Sequence, residues 1–243
     1  MDAQRMNELL ASPADFGHEV VLRVIVAPGR QDETVIPVER LDDDDFRHEF
    51  VRTGTDRDVG LLDLNTNRNV RRGSNSLVVE QGERHGDAGA PGQTIRTEMT
   101  EDGWLTIDLN VTGRDERAQR DPMADFNLYP VTVEEVAEHA ARALRFARRV
   151  YEHVDPHNRH AGLLVNASLG SLNGKPIAHQ RDRERLKGQM GIGFSGCEDK
   201  ALMSFDRAER ISRSDAGWVE VLAERIASRL ERRANTIDAA PRF

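Results

Sequence analysis

Hydrophobic and polar positions along the chain change period several times, and each change marks an element. Residues 19–27 (EVVLRVIVA) are a nearly continuous run of Val and Ile closed by Pro28-Gly29, which predicts a strand and its stop. Residues 34–38 predict a second short strand, and Ser76–Glu80 a third. Leu105, Ile107, Leu109 and Val111 alternate with Thr106, Asp108 and Asn110. Together with Thr94–Met99 and the intervening Thr100-Glu101-Asp102-Gly103, they predict a hairpin with an Asp-Gly turn and one buried face. Residues 161–169 (AGLLVNASL) form another apolar run of strand length, and weaker strand signals lie at 189–194 and 200–205.

Two stretches switch to helical spacing. From Thr132 onward, Val133, Val136, Ala137, Ala140, Leu144, Ala147, Val150, Tyr151 and Val154 recur every three or four positions. Thr132 and Glu135 have the spacing of a capping box, and Asp155-Pro156 ends the run. Glutamates gather at its start and arginines toward its end, as the helix dipole favours. A final helix is expected from about Ser214, with Val219, Leu222, Ala223, Ile226 and Leu230 as its buried stripe. Residues 53–75 carry little periodicity and predict a loop with at most a helical turn. Residues 81–93 are glycine-rich loop, and 113–130 are a long polar connection. The order predicts an α+β fold: an antiparallel or mixed sheet covered by two long amphipathic helices. It is expected as a single domain over 1–234, with a sub-boundary at 113–130 and a frayed tail at 235–243.

Composition narrows the class. The chain has 243 residues, one Cys, and 19 Gly without a period, which excludes a disulfide framework and a collagen-like repeat. No stretch is long and apolar enough for a membrane helix, and no secretory signal is visible, so a cytoplasmic protein is expected. The net charge of -8 is unevenly placed. Residues 1–130 hold 15 basic and 26 acidic side chains, net -11, whereas 131–243 hold 19 and 16, net +3. Any phosphate contact therefore belongs after residue 130. Of the 34 basic residues 31 are Arg, which fits a GC-rich coding bias or a use of guanidinium forks.

Arg142, Arg145 and Arg149 share one helix face, and Arg181, Arg183, Arg185 and Lys187 alternate on a separate segment. These seven are the candidate nucleic-acid contacts, set against the alternative of a salt-bridged surface, since Glu138, Glu152, Asp182 and Glu184 lie beside them. Gly191, Gly193 and Gly196 spell G-x-G-x-x-G, the pattern of a pyrophosphate-binding turn. A charged stretch precedes it instead of a strand, and Glu198 and Asp199 follow where a phosphate would lie. Asn166-Ala167-Ser168-Leu169-Gly170 resembles a nucleophile elbow but is followed by turn residues instead of a helix. His153, Asp155, His157 and His160 have the chemistry of zinc ligands, but Pro156 breaks their common register. Asp42–Asp45 are consecutive, so they do not converge on one cation and read as a turn or helix start. No metal or cofactor is expected, and no catalytic constellation emerges.

One resemblance covers residues 94–174. The Glu101-Asp102-Gly103-Trp104 hairpin tip, the Tyr129-Pro130 linker, the helix bearing Ala143-Leu144-Arg145, and the run from Leu163 to Gly174 follow in order. This resembles the C-terminal half of bacterial proteins that begin with an AlbA-like, Schlafen-related DNA-binding domain. In such proteins the nucleic-acid contacts belong to the N-terminal domain, whose pattern is not found in this chain before the hairpin. The resemblance therefore implies an accessory half and transfers no functional residue. The leading expectation is a non-catalytic accessory or interaction domain of a nucleic-acid-associated bacterial protein, regulatory or defence-related. Its partners would be nucleic acid through the C-terminal half, another protein, or a second copy. The alternative is a nucleotide-binding or hydrolytic enzyme centred on residues 188–197.

Overall fold

The computed structural model describes residues 3–14, 16, 20–29, 34–63, 68–82, 94–111, 131–170, 172, 177–182, 201–215 and 217–238. Its centre is β1 (Val21–Pro28), every residue of which is buried. The apolar run of this strand is explained by its position, because it is paired on both edges and covered on both faces. On one side β1 pairs antiparallel with β5 (Leu105–Asn110), which continues to β4 (Ile95–Thr100), β3 (Ser76–Gln81) and β2 (Arg68–Arg72). On the other side it pairs antiparallel with β7 (Gly162–Gly170), which carries β10 (Glu209–Ser212) and the short β9 (Leu202–Met203). Two short strands, β6 (Val131–Thr132) and β8 (Ile177–Ala178), pair in parallel apart from this sheet. The fold is α+β with an antiparallel eight-stranded main sheet.

One face of the sheet is covered by two long helices, α4 (Val133–Val154) and α5 (Trp218–Asp238). The expected cap of α4 forms: Thr132 Oγ1 accepts from the Glu135 amide at 3.2 Å, and Glu135 Oε2 accepts from the Thr132 amide at 3.1 Å. Ala140, Ala143 and Ala147 of α4 and Ala223 and Ala227 of α5 are all buried, and their small side chains allow close approach of the helices. Tyr151 drives its hydroxyl through the core to donate to the carbonyls of Val26 and Gly103, so α4 is tied to both β1 and the hairpin tip. Helix α5 continues to Asp238, into the stretch read from sequence as a tail. Among the described residues no helix is long and apolar enough to cross a membrane.

The opposite face is covered by α1 (Ala3–Ala11), a helix the hydrophobic spacing did not reveal. Its Met6 and Leu10 bury against Ile25, Ala27 and Trp104. This helix corrects the expectation of a hairpin with one buried face, because Asp108 and Asn110 of β5 are buried too. Asp108 tolerates that position because Arg23 meets it with two parallel bonds, Nε to Oδ1 at 2.6 Å and Nη2 to Oδ2 at 2.7 Å. The third nitrogen, Nη1, donates to the carbonyls of Leu9 and Ser12, each at 2.6 Å. Ser168 Oγ donates to the Leu10 carbonyl at 2.7 Å. Carbonyls at the end of α1 that have no partner within the helix are thus satisfied by side chains of β1 and β7.

Two further differences from the sequence reading have local causes. Residues 34–38 do not form a strand: the amides of Val35 and Ile36 both donate to the Glu101 carbonyl, and Pro37 leads into the short helix α2 (Val38–Leu41). Residues 53–75 hold the end of α3 (Asp44–Thr55) and all of β2. The Asp42–Asp45 run is a helix start, since Asp43 accepts from the Asp45 amide at 2.9 Å as N-cap. The 200–205 signal is the two-residue β9, and the 189–194 signal lies outside the described residues.

Candidate interaction surface

The arginines of α4 lie on its outward side, beside α3 and the first turn of α5. Arg145, Arg148 and Arg149 line a shallow groove of about 360 Å³ together with Asp58, Val59, Glu152, Val219 and Glu220. Arg149 and Glu152 also line an adjoining cleft of about 500 Å³, where Arg52 and Glu49 project from α3. The two depressions therefore form one continuous surface crossing the C-terminal half of α4. It exists because Phe50 of α3 packs edge-on against Phe146 of α4, with ring centres 5.0 Å apart, and sets the helices side by side. His153 closes one end, stacked on Phe46.

Each guanidinium here has a carboxylate partner. Arg145 Nε lies 3.3 Å from Glu220 Oε1, and Arg148 Nε lies 3.1 Å from Glu152 Oε1. Arg149 Nη1 lies 3.5 Å from the other oxygen of Glu152. Arg52 grips Glu49 through Nε and Nη2, both at 2.8 Å. That fork, against the opposing effect of burial, holds the Glu49 carboxyl below its ordinary range, with the charges of Arg52 and His153 adding to it. These exposed pairs contribute little stability individually, and their partners can be exchanged at small cost.

The predicted contacts distribute as follows. Arg145 and Arg149 share the groove; Arg142 sits one turn before Arg145 and is paired with Glu138 four residues earlier. Arg181 lies in a 3-10 turn (Gln180–Asp182) and is exposed beside Asp182. That turn is fastened to the opposite end of α4: the Gln180 amide donates to Glu134 Oε2 at 3.0 Å, and His179 Nδ1 lies 3.2 Å from Glu134 Oε1. At about 1.5 Å per residue, Arg145 and Arg149 are roughly 16 and 22 Å along the axis from Glu134. Arg181 does not join them. Arg183, Arg185, Lys187, Gly191, Gly193 and Gly196 lie outside the described residues. Arg52 and Arg148 were not among the sequence candidates. Arg148 shares the helical periodicity of its neighbours, and Arg52 follows Phe46 and Phe50 on a helix whose acidic start was visible.

Among the described residues, the Ser, Asn and Asp groups with the chemistry for catalysis in this region have structural roles. Ser168 is fully buried in mid-strand and donates to the end of α1, so it is not raised on a turn as a nucleophile would be. Asn166 pins the Ser204-Phe205 segment: its Nδ2 donates to the Phe205 carbonyl at 3.1 Å, and its Oδ1 accepts from Ser204 Oγ at 3.1 Å. Asp155 is buried after α4 and accepts from the amides of Arg159 and His160 and from Arg213 Nη1 at 2.7 Å. Burial pushes the Asp155 carboxyl upward, but the two amides and Arg213 outweigh it and hold it below its usual range. His153 and His157 are exposed while the His160 ring is buried, so these histidines do not converge. Among the described residues no group of three His, Cys, Asp or Glu is placed to hold a metal ion. Comparisons with family models, curated proteins and solved structures find no match to this chain.

Proposed function

We propose that this chain is a non-catalytic interaction domain of a nucleic-acid-associated bacterial protein, with the groove of Arg145, Arg148 and Arg149 as its contact surface and Arg52, before residue 130, adding to it from the adjoining cleft. The observation that carries this reading is the convergence of Arg145, Arg148 and Arg149 on one groove, with Arg52 of α3 in the adjoining cleft that shares Arg149. The burial of Ser168 and Asp155 in structural hydrogen bonds agrees with it. A guanidinium fork fits phosphate as well as carboxylate, so a nucleic-acid backbone can replace Glu152 and Glu220 as partner. The interleaved acids make such a contact short-ranged, because they cancel the field that would steer a polyanion from afar. The resemblance over residues 94–174 and the single Cys support a bacterial, cytoplasmic setting.

The test is binding of labelled single-stranded and duplex oligonucleotides across a salt series. If three of the arginines each neutralise a phosphate, the log-log slope is about -2 to -3. The Arg145→Glu/Arg149→Glu pair should abolish binding, and Arg181→Glu should leave it unchanged. Absence of binding at low salt by the chain, and by any longer protein that contains it, overturns the nucleic-acid reading.

A further inference from the structure

The main sheet ends in β2, and beyond β2 no described strand continues it. Four of its five residues are exposed, Val70 among them at 39%. The pairing shows which backbone groups are open. The Gly73 amide donates to the Ser76 carbonyl, so Gly73 and Ser76 form a hydrogen-bonded pair at the hairpin end. Strict alternation then makes Arg71 with Val78 and Asn69 with Glu80 the bonded pairs. Arg68, Val70 and Arg72 turn their N–H and C=O groups toward the open edge.

Helix α3 runs beside that edge. Asp44, Arg47, His48, Val51, Arg52 and Thr55 lie along one helical stripe and face Arg68 and Val70 across a groove of about 460 Å³. Val51 and Val70 supply apolar contact, and the lining charges are three arginines against one aspartate. Arg72 reaches the same side, pairing with Asp42 at 2.7 Å. Arg68 has no carboxylate partner among the described residues: it donates to the Asp63 carbonyl, and its buried Nε is unpartnered.

We propose that the β2 edge and the α3 wall form a docking groove for an extended acidic segment of a partner protein, which joins the sheet as an added strand. The open ladder of alternating donors and acceptors matches a peptide backbone. A nucleic-acid backbone, whose phosphates are acceptors and which has no N–H donors alternating with C=O groups at strand spacing, does not match it. The side-chain face asks for an apolar residue against Val51 and Val70, flanked two positions away on either side by carboxylates that meet the arginines. A second copy of this chain fits badly. Antiparallel pairing of β2 with itself about Val70 sets Arg68 opposite Arg72 twice, and directly opposed like charges destabilise such pairs. The arginines thus guard the edge against self-association while leaving it open to an acidic strand.

Hydrogen exchange of the backbone amides tests this, with the capped peptide Thr-Glu-Thr-Val-Thr-Glu-Thr as probe and its Glu-to-Lys counterpart as control. The acidic peptide should slow exchange at Arg68, Val70 and Arg72. Asn69 and Arg71, already bonded to β3, should change little. Val70→Pro removes a donor that faces only the partner and should weaken binding about five- to ten-fold. Arg68→Glu should shift preference toward the Lys peptide, with unchanged protection in β3 and β4 confirming its fold. No protection at millimolar acidic peptide overturns the proposal, as does equal protection by the Lys peptide. Protection that grows with protein concentration alone, or that a single-stranded oligonucleotide reproduces, also overturns it.

Discussion

Replacing Arg23 with methionine keeps the length and apolar stem of the side chain but removes its guanidinium from the buried face of the sheet. Four hydrogen bonds are lost, two to Asp108 and one each to the carbonyls of Leu9 and Ser12. The greater cost lies in what remains: Asp108, 1% exposed, is left as a carboxylate without its partner. Breaking a buried pair in this way costs about 3–5 kcal/mol, a large share of the 5–15 kcal/mol that typically holds a domain folded. Asp108→Asn should cost a similar amount by stranding the guanidinium. The double variant Arg23→Met/Asp108→Leu should be destabilised by much less than the sum, since neither buried charge then exists. Urea unfolding measures all three. In a Trp218→Phe background the reporter is Trp104, which lies under α1 with the Arg5 guanidinium 4.8 Å above its ring. If α1 lifts from the sheet before the core opens, the slope of the transition falls together with its midpoint. Single variants that each cost below about 1 kcal/mol and add without coupling would refute the assignment of Arg23 as the clasp of α1.

Three further outcomes follow from the same geometry. Burial, and then the nearby charge of Arg142, lower the His139 pKa from 6.5 to about 4, against a weaker opposing effect of Glu138. The unfolded chain therefore binds a proton that the folded one refuses between those values, so stability should fall by about 3 kcal/mol as pH drops through that window. His139→Gln should remove this part of the decline in pH-dependent urea midpoints. Gly103 has φ +78° at the hairpin tip, and an added Cβ would lie 2.7 Å from Val35 Cγ2; Gly103→Ala should cost about 2 kcal/mol or more in thermal or urea unfolding. Thr132→Ala removes the hydroxyl half of the capping box and should cost about 1 kcal/mol, with Thr132→Ser recovering most of it.

The elements legible in the sequence are those whose burial differs sharply between faces or that carry their own stop signals. Helix α4 was visible through its capping box, its apolar stripe and Pro156, and the β4–β5 hairpin through Leu105, Ile107 and Leu109 and its Asp-Gly turn. Helix α1 was not visible, because a short helix whose fully buried side chains are Met6 and Leu10 carries little apolar periodicity. Strand β2 reads RNVRR and alternates weakly, as an edge strand can: it contributes little to the core and is held by its ladder to β3. The same contrast governs the candidate site. Arg145 and Arg149 were legible from helical spacing alone. Their meeting with Arg52 depended on the Phe50–Phe146 contact between α3 and α4, which no local pattern reveals.

The central position of β1 has a consequence for how the chain comes into being. Its two neighbours are β5 and β7, and the Val21–Gly170 pairing closes a loop spanning most of the protein. A strand of eight buried residues is therefore synthesised well before β7 and has no partner on its second edge until β7 is made. At 5–20 residues per second the roughly 140 intervening residues take about 7–28 s. Throughout that interval β1 is an apolar strand with an open edge, so folding of this chain is set by non-local closure and is slow relative to its helices.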